Sequence, residues 1–302
     1  MSQKPATPLY WIASYPHSGD QLVRSFLQHL AKNFGYRPQD PAAIELLDRD
    51  LPWDVHAHFY ETVLGKHPRE MSEEEIAAAR PKVHEYISKT YPGIPVVKTH
   101  APRAEFYGVP SINMNVSIGS VYLIRNPLML APIFATVGKK DVVTALKLLA
   151  TSEYRQPTSE THALEPWGSW SQNVMSWTNA DEDGDLLVRF EDIAADPHGQ
   201  LGRIAKHLKM PVDDAQIADA ADKALAVHGM AGKKPQPNAW KNAMSKDHVR
   251  ALVEIHARQM SRFGYLTNDV LNYAGLTREV ALNSSAKFEE LARTPVAPVG
   301  HA

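Results

Sequence analysis

Four short apolar segments, each ending in polar or charged residues, constrain the fold of this 302-residue chain more than any other feature. They are LYWIAS (9–14), IPVVKTH (94–100), GSVYLIRNP (119–127) and DLLVRFEDI (185–193). Each is too short for a helix of ordinary length and reads as a buried strand. Between and after them lie helix-patterned stretches near 20–34, 71–91, 128–150, 166–178, 197–208, 213–226 and 246–263. Ser72 followed by Glu73, Glu74 and Glu75 is a strong helix start, a hydroxyl cap with acids in the first turn. Strands separated by helices predict an α/β fold, a parallel central sheet flanked by helices on both faces.

In such a sheet, ligands sit beyond the carboxyl ends of the strands. The first strand runs into YPHSGDQL, with Pro16 and Gly19 in a tight turn ahead of a helix. Three strand ends then carry His17 and Ser18, Lys98 and His100, and Arg125. Cations and imidazoles gather beside a helix N-terminus, whose free N–H groups and dipole favour an anion. A phosphorylated ligand is the expectation from this placement. The loop is not a G-x-x-x-x-G-K-[ST] phosphate loop, since Asp20 follows Gly19, and its single glycine excludes a dinucleotide fingerprint.

Composition sets the outer bounds. A net charge of −2 gives no reason to invoke nucleic acid or an anionic membrane, so an anion site must be a local cluster. The chain has no cysteine, hence neither disulfides nor thiolate chemistry. It has no apolar run of membrane-spanning length and no signal-like start, and a cytoplasmic location is the expectation. His56, His58 and His67 are scattered through a loop-rich stretch without the spacing or carboxylate partners of a metal site, and no metal is expected. Trp170 and Trp177, seven apart on one helix face, read as core. Residues 229–245 read as one long loop, and 292–302 as a disordered tail.

Taken together, these segments resemble the sulfotransferases that use 3′-phosphoadenosine 5′-phosphosulfate (PAPS). YPHSGDQLVRSFL is similar to their Y-P-K-S-G loop, VVKTHAP to their K-T-H segment and VYLIRNP to their Y-L-x-R-N-P. LLVRFED is similar to V-x-Y-E-D, and GKKPQPNAWKN to R-K-G-x-x-G-D-W-K-N. The segments occur in the family's order from residue 9 to about 265. The resemblance implies a P-loop-NTPase-like sulfotransferase fold, with one domain over 1–265 and a helical extension with its tail over 266–302.

It also implies roles. His100 would be the general base and Lys98 would stabilise charge on the sulfuryl group. His17 stands where the family has a lysine on the bridging oxygen. Loop N–H groups from Ser18, Gly19, Asp20, Gln21 and Leu22 would hold the 5′-phosphosulfate, with the Ser18 hydroxyl. Arg125, Lys233 and Lys234 would bind the 3′-phosphate. PAPS would be the co-substrate, and a small molecule, glycan or lipid bearing a hydroxyl or amine the acceptor. A histidine near its ordinary pKa of about 6.5 suits this role at neutral pH.

Several positions depart from the pattern. Asp20 and Gln21 replace hydroxyl residues, and a carboxylate beside a phosphate is unfavourable unless a cation or protonation intervenes or it caps the helix instead. Leu22 replaces a tryptophan that stacks on adenine, Ile133 a serine on the 3′-phosphate, Phe190 a tyrosine and Pro235 a glycine. Two alternatives to a PAPS-dependent enzyme therefore stand: a catalytically impaired relative that binds a nucleotide or a partner, and an enzyme using another phosphorylated donor. A plain strand-end histidine is the less favoured reading of His100, while Lys233 and Lys234 could equally be solvated loop charges. Neither the acceptor nor the oligomeric state is specified.

Overall fold

The computed structural model describes residues 8–33, 51–91, 95–179, 184–232 and 236–293. Lys233, Lys234, Pro235 and the tail from 294 lie outside these residues. The chain divides into two compact units. One comprises residues 1–125, 153–168 and 173–236, the other 126–152, 169–172 and 237–302.

The first unit holds a four-stranded parallel sheet of β1 (Leu9–Ser14), β2 (Val96–Thr99), β3 (Ser117–Ile124) and β4 (Asp185–Arg189), in the order β2-β1-β3-β4. Alternation along the strands decides which helix covers which face. Tyr10, Ile12, Val121, Leu123 and Val188 join one buried cluster with Leu22, Val23, Phe26, Leu27 and Leu30 of helix α1 (Asp20–Asn33). Ile217, Ala220 and Ala224 of the helix at Asp214–Val227 complete that layer. The intervening residues face the other way. Trp11 meets His84 edge-on at 4.8 Å, from the helix at Glu73–Thr90. Tyr122 stacks on Trp177 at 6.0 Å and donates to Asn173 Oδ1 at 2.9 Å. Helices thus cover both faces, as the segment order predicts.

The helix over 73–90 starts as expected, with Ser72 and Glu75 forming a reciprocal capping box. Several boundaries differ from the sequence reading, two of them by a change of element near the strand ends and in the second unit. The fourth strand stops at Arg189, and Phe190–Ala195 turns into a helix whose first turn holds Glu191 and Asp192, where carboxylates suit the dipole. The stretch near 128–150 is two helices, Pro127–Val137 and Val142–Ala150. The break falls where Gly138 ends the first and the Asp141 side chain caps the second by accepting from Thr144 N–H.

A buried polar knot fixes the segment ahead of the 57–64 helix. Asp54 Oδ2 lies 2.8 Å from Arg80 Nη1 and accepts from His84 Nε2 and Thr99 Oγ1, each at 3.3 Å. Arg80 Nη2 donates to the Leu164 carbonyl at 2.7 Å. Burial opposes charge on Asp54, but Arg80 and His84 outweigh it and hold its carboxyl below the ordinary range. Lys98 N–H donates to the Pro52 carbonyl at 2.8 Å and the Lys98 carbonyl accepts from Asp54 N–H at 3.2 Å, so Trp53 lies alongside the outer strand β2.

The second unit is helical. Lys246–Arg262 packs on Arg278–Arg293 through Ser285, which donates to the Ile255 carbonyl at 2.9 Å, and through an Arg258–Glu289 ion pair at 2.7 Å. Trp170 is fully buried and edge-on to His256, whose Nδ1 lies 2.7 Å from Ser171 Oγ. Trp170 and Trp177 are both core residues, as their spacing predicts. The long loop contains a 3-10 turn, Ala239–Asn242, which buries Trp240 against Tyr273.

Candidate active site

The turn after β1 owes its shape to two left-handed residues. His17 has φ 65° and Gly19 φ 109°. A side chain at Gly19 would be strained by that φ, and its Cβ would fall 2.5 Å from the Phe190 ring. Arg125 braces the turn from β3. Its Nη1 donates to the His17 carbonyl at 3.0 Å, and its guanidinium lies 4.0 Å over the Phe190 ring. Helix α1 begins at once with Asp20. The Ser18 hydroxyl is fully buried there and has no hydrogen-bond partner among the described residues.

His100 stands just past the end of β2, 4% exposed. Its Nδ1 lies 2.8 Å from the Ser14 carbonyl. A carbonyl only accepts, so Nδ1 carries the proton and the neutral ring keeps its lone pair on Nε2. Burial, then the Lys98 charge, push the imidazole down to about 3. This corrects the expectation of an unperturbed histidine near 6.5: neutrality at pH 7 comes from the desolvated, cationic surroundings. His17 is also lowered, by burial first, even though Asp20 acts in the opposite sense.

Lys98 is 4% exposed and makes two close contacts. Its Nζ is 3.0 Å from Asp20 Oδ2 and 3.5 Å from the centroid of Trp53. Asp20 is 3% exposed, with Arg24 at 3.9 Å on its own helix. Burial opposes its ionisation, yet Lys98, His100 and Arg24 together hold its carboxyl well below the usual carboxylate range. The intervening cation that the sequence requires for Asp20 is therefore Lys98.

Trp53 is a member of this site that the sequence did not reveal. It lies edge-on to His100 at 5.5 Å and packs on His162 at 4.6 Å. No motif marks it, because it reaches the strand ends from a segment about 45 residues away.

The remaining expected residues fall in different settings. Gln21 is exposed on the first turn of α1, whereas Leu22 is 3% exposed and packs in the core cluster. Phe190 opens the helix after β4 and supports Arg125. In the second unit, Ile133 lines an apolar cavity of about 270 Å³ with Met129, Pro132, Thr136, Val137 and Trp240. Lys233 and Lys234 are outside the described residues. No group of three or more His, Asp or Glu among the described residues could hold a metal ion, and no described helix is long and apolar enough to cross a membrane.

The sequence profile of the sulfotransferase domain family matches residues 8–264. The chain belongs to that family. Among solved structures, a mouse sulfotransferase complexed with PAP is 15% identical, with 89% of each chain covered and a TM-score of 0.51. At that identity the likeness establishes the fold. Retinol dehydratase in complex with androsterone and inactive cofactor PAP is 16% identical over 88% of this chain and 82% of its own, with a TM-score of 0.48. A Mycobacterium avium sulfotransferase is 14% identical over 86% and 78%, with a TM-score of 0.48. Comparison with curated protein sequences finds no match.

The buried histidines of this sulfotransferase make its stability sensitive to acid. His100 in the first unit and His256 in the second are both lowered to about 3, chiefly by burial. Between that value and the unfolded value of about 6.5, only the unfolded chain takes up their protons, so stability falls as pH drops through this window. Two such groups give a slope of about 2.7 kcal/mol per pH unit at most. Urea titrations at pH 7.0, 6.0 and 5.0 should show a falling midpoint, and replacing His256 with Gln should flatten the decline. A midpoint independent of pH would contradict the neutral, desolvated state of these rings.

Proposed function

We propose that the protein transfers a sulfuryl group from PAPS to a hydroxyl or amine of a small-molecule, glycan or lipid acceptor, with His100 as general base. The observation that carries this reading is the 2.8 Å contact of His100 Nδ1 with the Ser14 carbonyl. With Nδ1–H tied to the Ser14 carbonyl, the Nε2 lone pair is available beside a buried lysine at the end of a parallel strand. In the proposed step, Nε2 takes the acceptor proton while the acceptor oxygen or nitrogen forms a bond to sulfur. The bond from sulfur to the bridging oxygen breaks, and the electron pair leaves on the 5′-phosphate of the bisphosphate product. Lys98 offsets charge on the sulfuryl oxygens, and His17 offers a hydrogen bond to the bridging oxygen. Such transfers gain most from positioning and from fixed charge.

The donor site has features for and against this ligand. The unpartnered Ser18 hydroxyl and the N-terminal N–H groups of α1, from Gly19 to Leu22, suit a phosphate. Arg125, with Lys233 and Lys234, would take the 3′-phosphate. The mouse relative was solved with PAP, which is consistent with that donor class. Asp20 works against it, because its carboxylate already neutralises Lys98. That ion pair favours a second reading, a catalytically impaired family member that binds a nucleotide or a partner on the same scaffold.

Calorimetric titration with 3′,5′-adenosine bisphosphate (PAP), with AMP as control, tests the donor site. Micromolar binding that AMP cannot match is the expected outcome. Absence of binding would favour the second reading.

A further inference from the structure

Glu165 is the buried carboxylate that ties the site together, and neither its sequence context nor the family motifs single it out. It is 1% exposed. Its Oε1 accepts the His100 main-chain N–H at 2.8 Å and Trp53 Nε1–H at 3.1 Å. Its Oε2 accepts Trp167 Nε1–H at 2.9 Å. Both indoles stand edge-on to the His100 ring, at 5.5 Å and 6.3 Å, each at 82°. One carboxylate therefore fixes the backbone of His100 and the two walls between which its ring sits.

The other end of the same peptide segment is fixed too. Asn173 Nδ2 donates to the His100 carbonyl at 2.8 Å and to the Trp167 carbonyl at 3.0 Å. The ring is held at Nδ1 by Ser14. The Trp53 ring that Glu165 anchors also carries Lys98 Nζ on its face.

A buried carboxylate whose hydrogen-bond partners here are neutral N–H groups is an expensive way to fill a core, since it loses its hydration without a direct ion pair among these three contacts. Only an acceptor-only group with two oxygens satisfies three donors converging from three chain segments. Glutamine would turn an N–H group toward the Trp167 N–H. Glutamate at this place is thus explained by the geometry it imposes on its neighbours.

We infer that Glu165 is a positioning residue for sulfuryl transfer, holding His100 Nε2 and, through Trp53, Lys98 in their reactive arrangement. The inference rests on the transfer reading above for its kinetic consequence, but its structural content is independent of it. An angstrom of misplacement of a reacting group costs on the order of 100-fold in rate.

The test uses the full chain with labelled histidine. The buried Nδ1–H of His100 gives a proton resonance, assigned by its loss in His100→Asn. In Glu165→Gln this resonance shifts or broadens. Trp53→Phe keeps an aromatic side chain but removes the indole N–H that donates to Glu165, and it moves the same signal if the first variant folds poorly. With an acceptor in hand, Glu165→Gln lowers kcat by about 10-fold or more, while acceptor KM and PAP affinity stay within twofold. An unmoved His100 resonance in both variants overturns the inference, and so does a moved resonance with unchanged kcat. Failure of the transfer reading looks different: wild-type protein that neither binds PAP nor turns over PAPS. In that case the resonance alone decides whether Glu165 positions His100.

Discussion

His100→Asn should cut sulfuryl transfer by orders of magnitude while leaving the affinity for PAP nearly unchanged. Asparagine can still donate its side-chain N–H toward the Ser14 carbonyl, which His100 Nδ1 reaches at 2.8 Å in the native protein, but it has no counterpart of Nε2. The expected loss in kcat is roughly 10²- to 10⁴-fold, the usual contribution of a positioned base. Transfer of labelled sulfate to a panel of phenolic, alcoholic and amine acceptors measures it, with calorimetry on PAP as the binding control. The low pKa of the ligand-free ring gives this prediction a pH signature. A base pushed down to about 3 is already deprotonated at pH 5, so kcat/KM should not fall between pH 7 and pH 5 through this group. Turnover equal in variant and wild type would remove His100 from the chemistry.

Asp20→Asn should change donor affinity more than any other single substitution in the loop. The Asp20 carboxylate sits 3.0 Å from Lys98 in a site almost closed to solvent. It supplies internally the negative charge that a bound phosphosulfate would bring. A unit charge about 5 Å away, at an effective dielectric constant of about 20, is worth roughly 3 kcal/mol, or on the order of 100-fold in affinity. Removing it should therefore tighten PAP binding by about 10- to 100-fold. The same change leaves Lys98 buried without its carboxylate, so the ligand-free variant should lose about 3 kcal/mol of stability. Added PAP should then raise the melting temperature of the variant far more than that of wild type, because the ligand replaces the missing charge. Weaker PAP binding in Asp20→Asn would show that Asp20 supports the anion site.

The two expectations differ in how far the sequence could have carried them. His100 and Lys98 stand at the end of a strand whose apolar run is plain in the sequence, and the parallel-sheet rule places such ends at the site. The Asp20 problem was also legible, as a carboxylate where a hydroxyl belongs. Its resolution was not. Asp20 and Lys98 are 78 positions apart, and only the pairing of β1 with β2 brings them within 3.0 Å. The lowered pKa of His100 is not legible in the sequence for the same reason, since burial and the neighbouring lysine are properties of the packed molecule. Trp53, Trp167 and Glu165 carry no local signature, because each acts through side-chain hydrogen bonds or ring contacts made across the fold.

Element boundaries tell a similar story. The sequence extends the strand ending at Arg189 four residues too far, because VRFEDI is apolar enough to continue a strand. The carboxylates of Glu191 and Asp192 suit the first turn of the helix that actually forms.

By itself, the sequence determined the α/β class, the strand-loop-helix at residues 9–33 and the membership of the sulfotransferase family, since these follow from local apolar runs, caps and short motifs in fixed order. Only the tertiary structure decided what charge and freedom the site residues have. It paired Asp20 with Lys98, buried Leu22 in the core and set Arg125 to bracing the loop through the His17 carbonyl. It also closed Trp53 and Trp167 around His100 under a single carboxylate. Electrostatic state depends on distance and desolvation, and neither exists until segments remote in the chain are packed together.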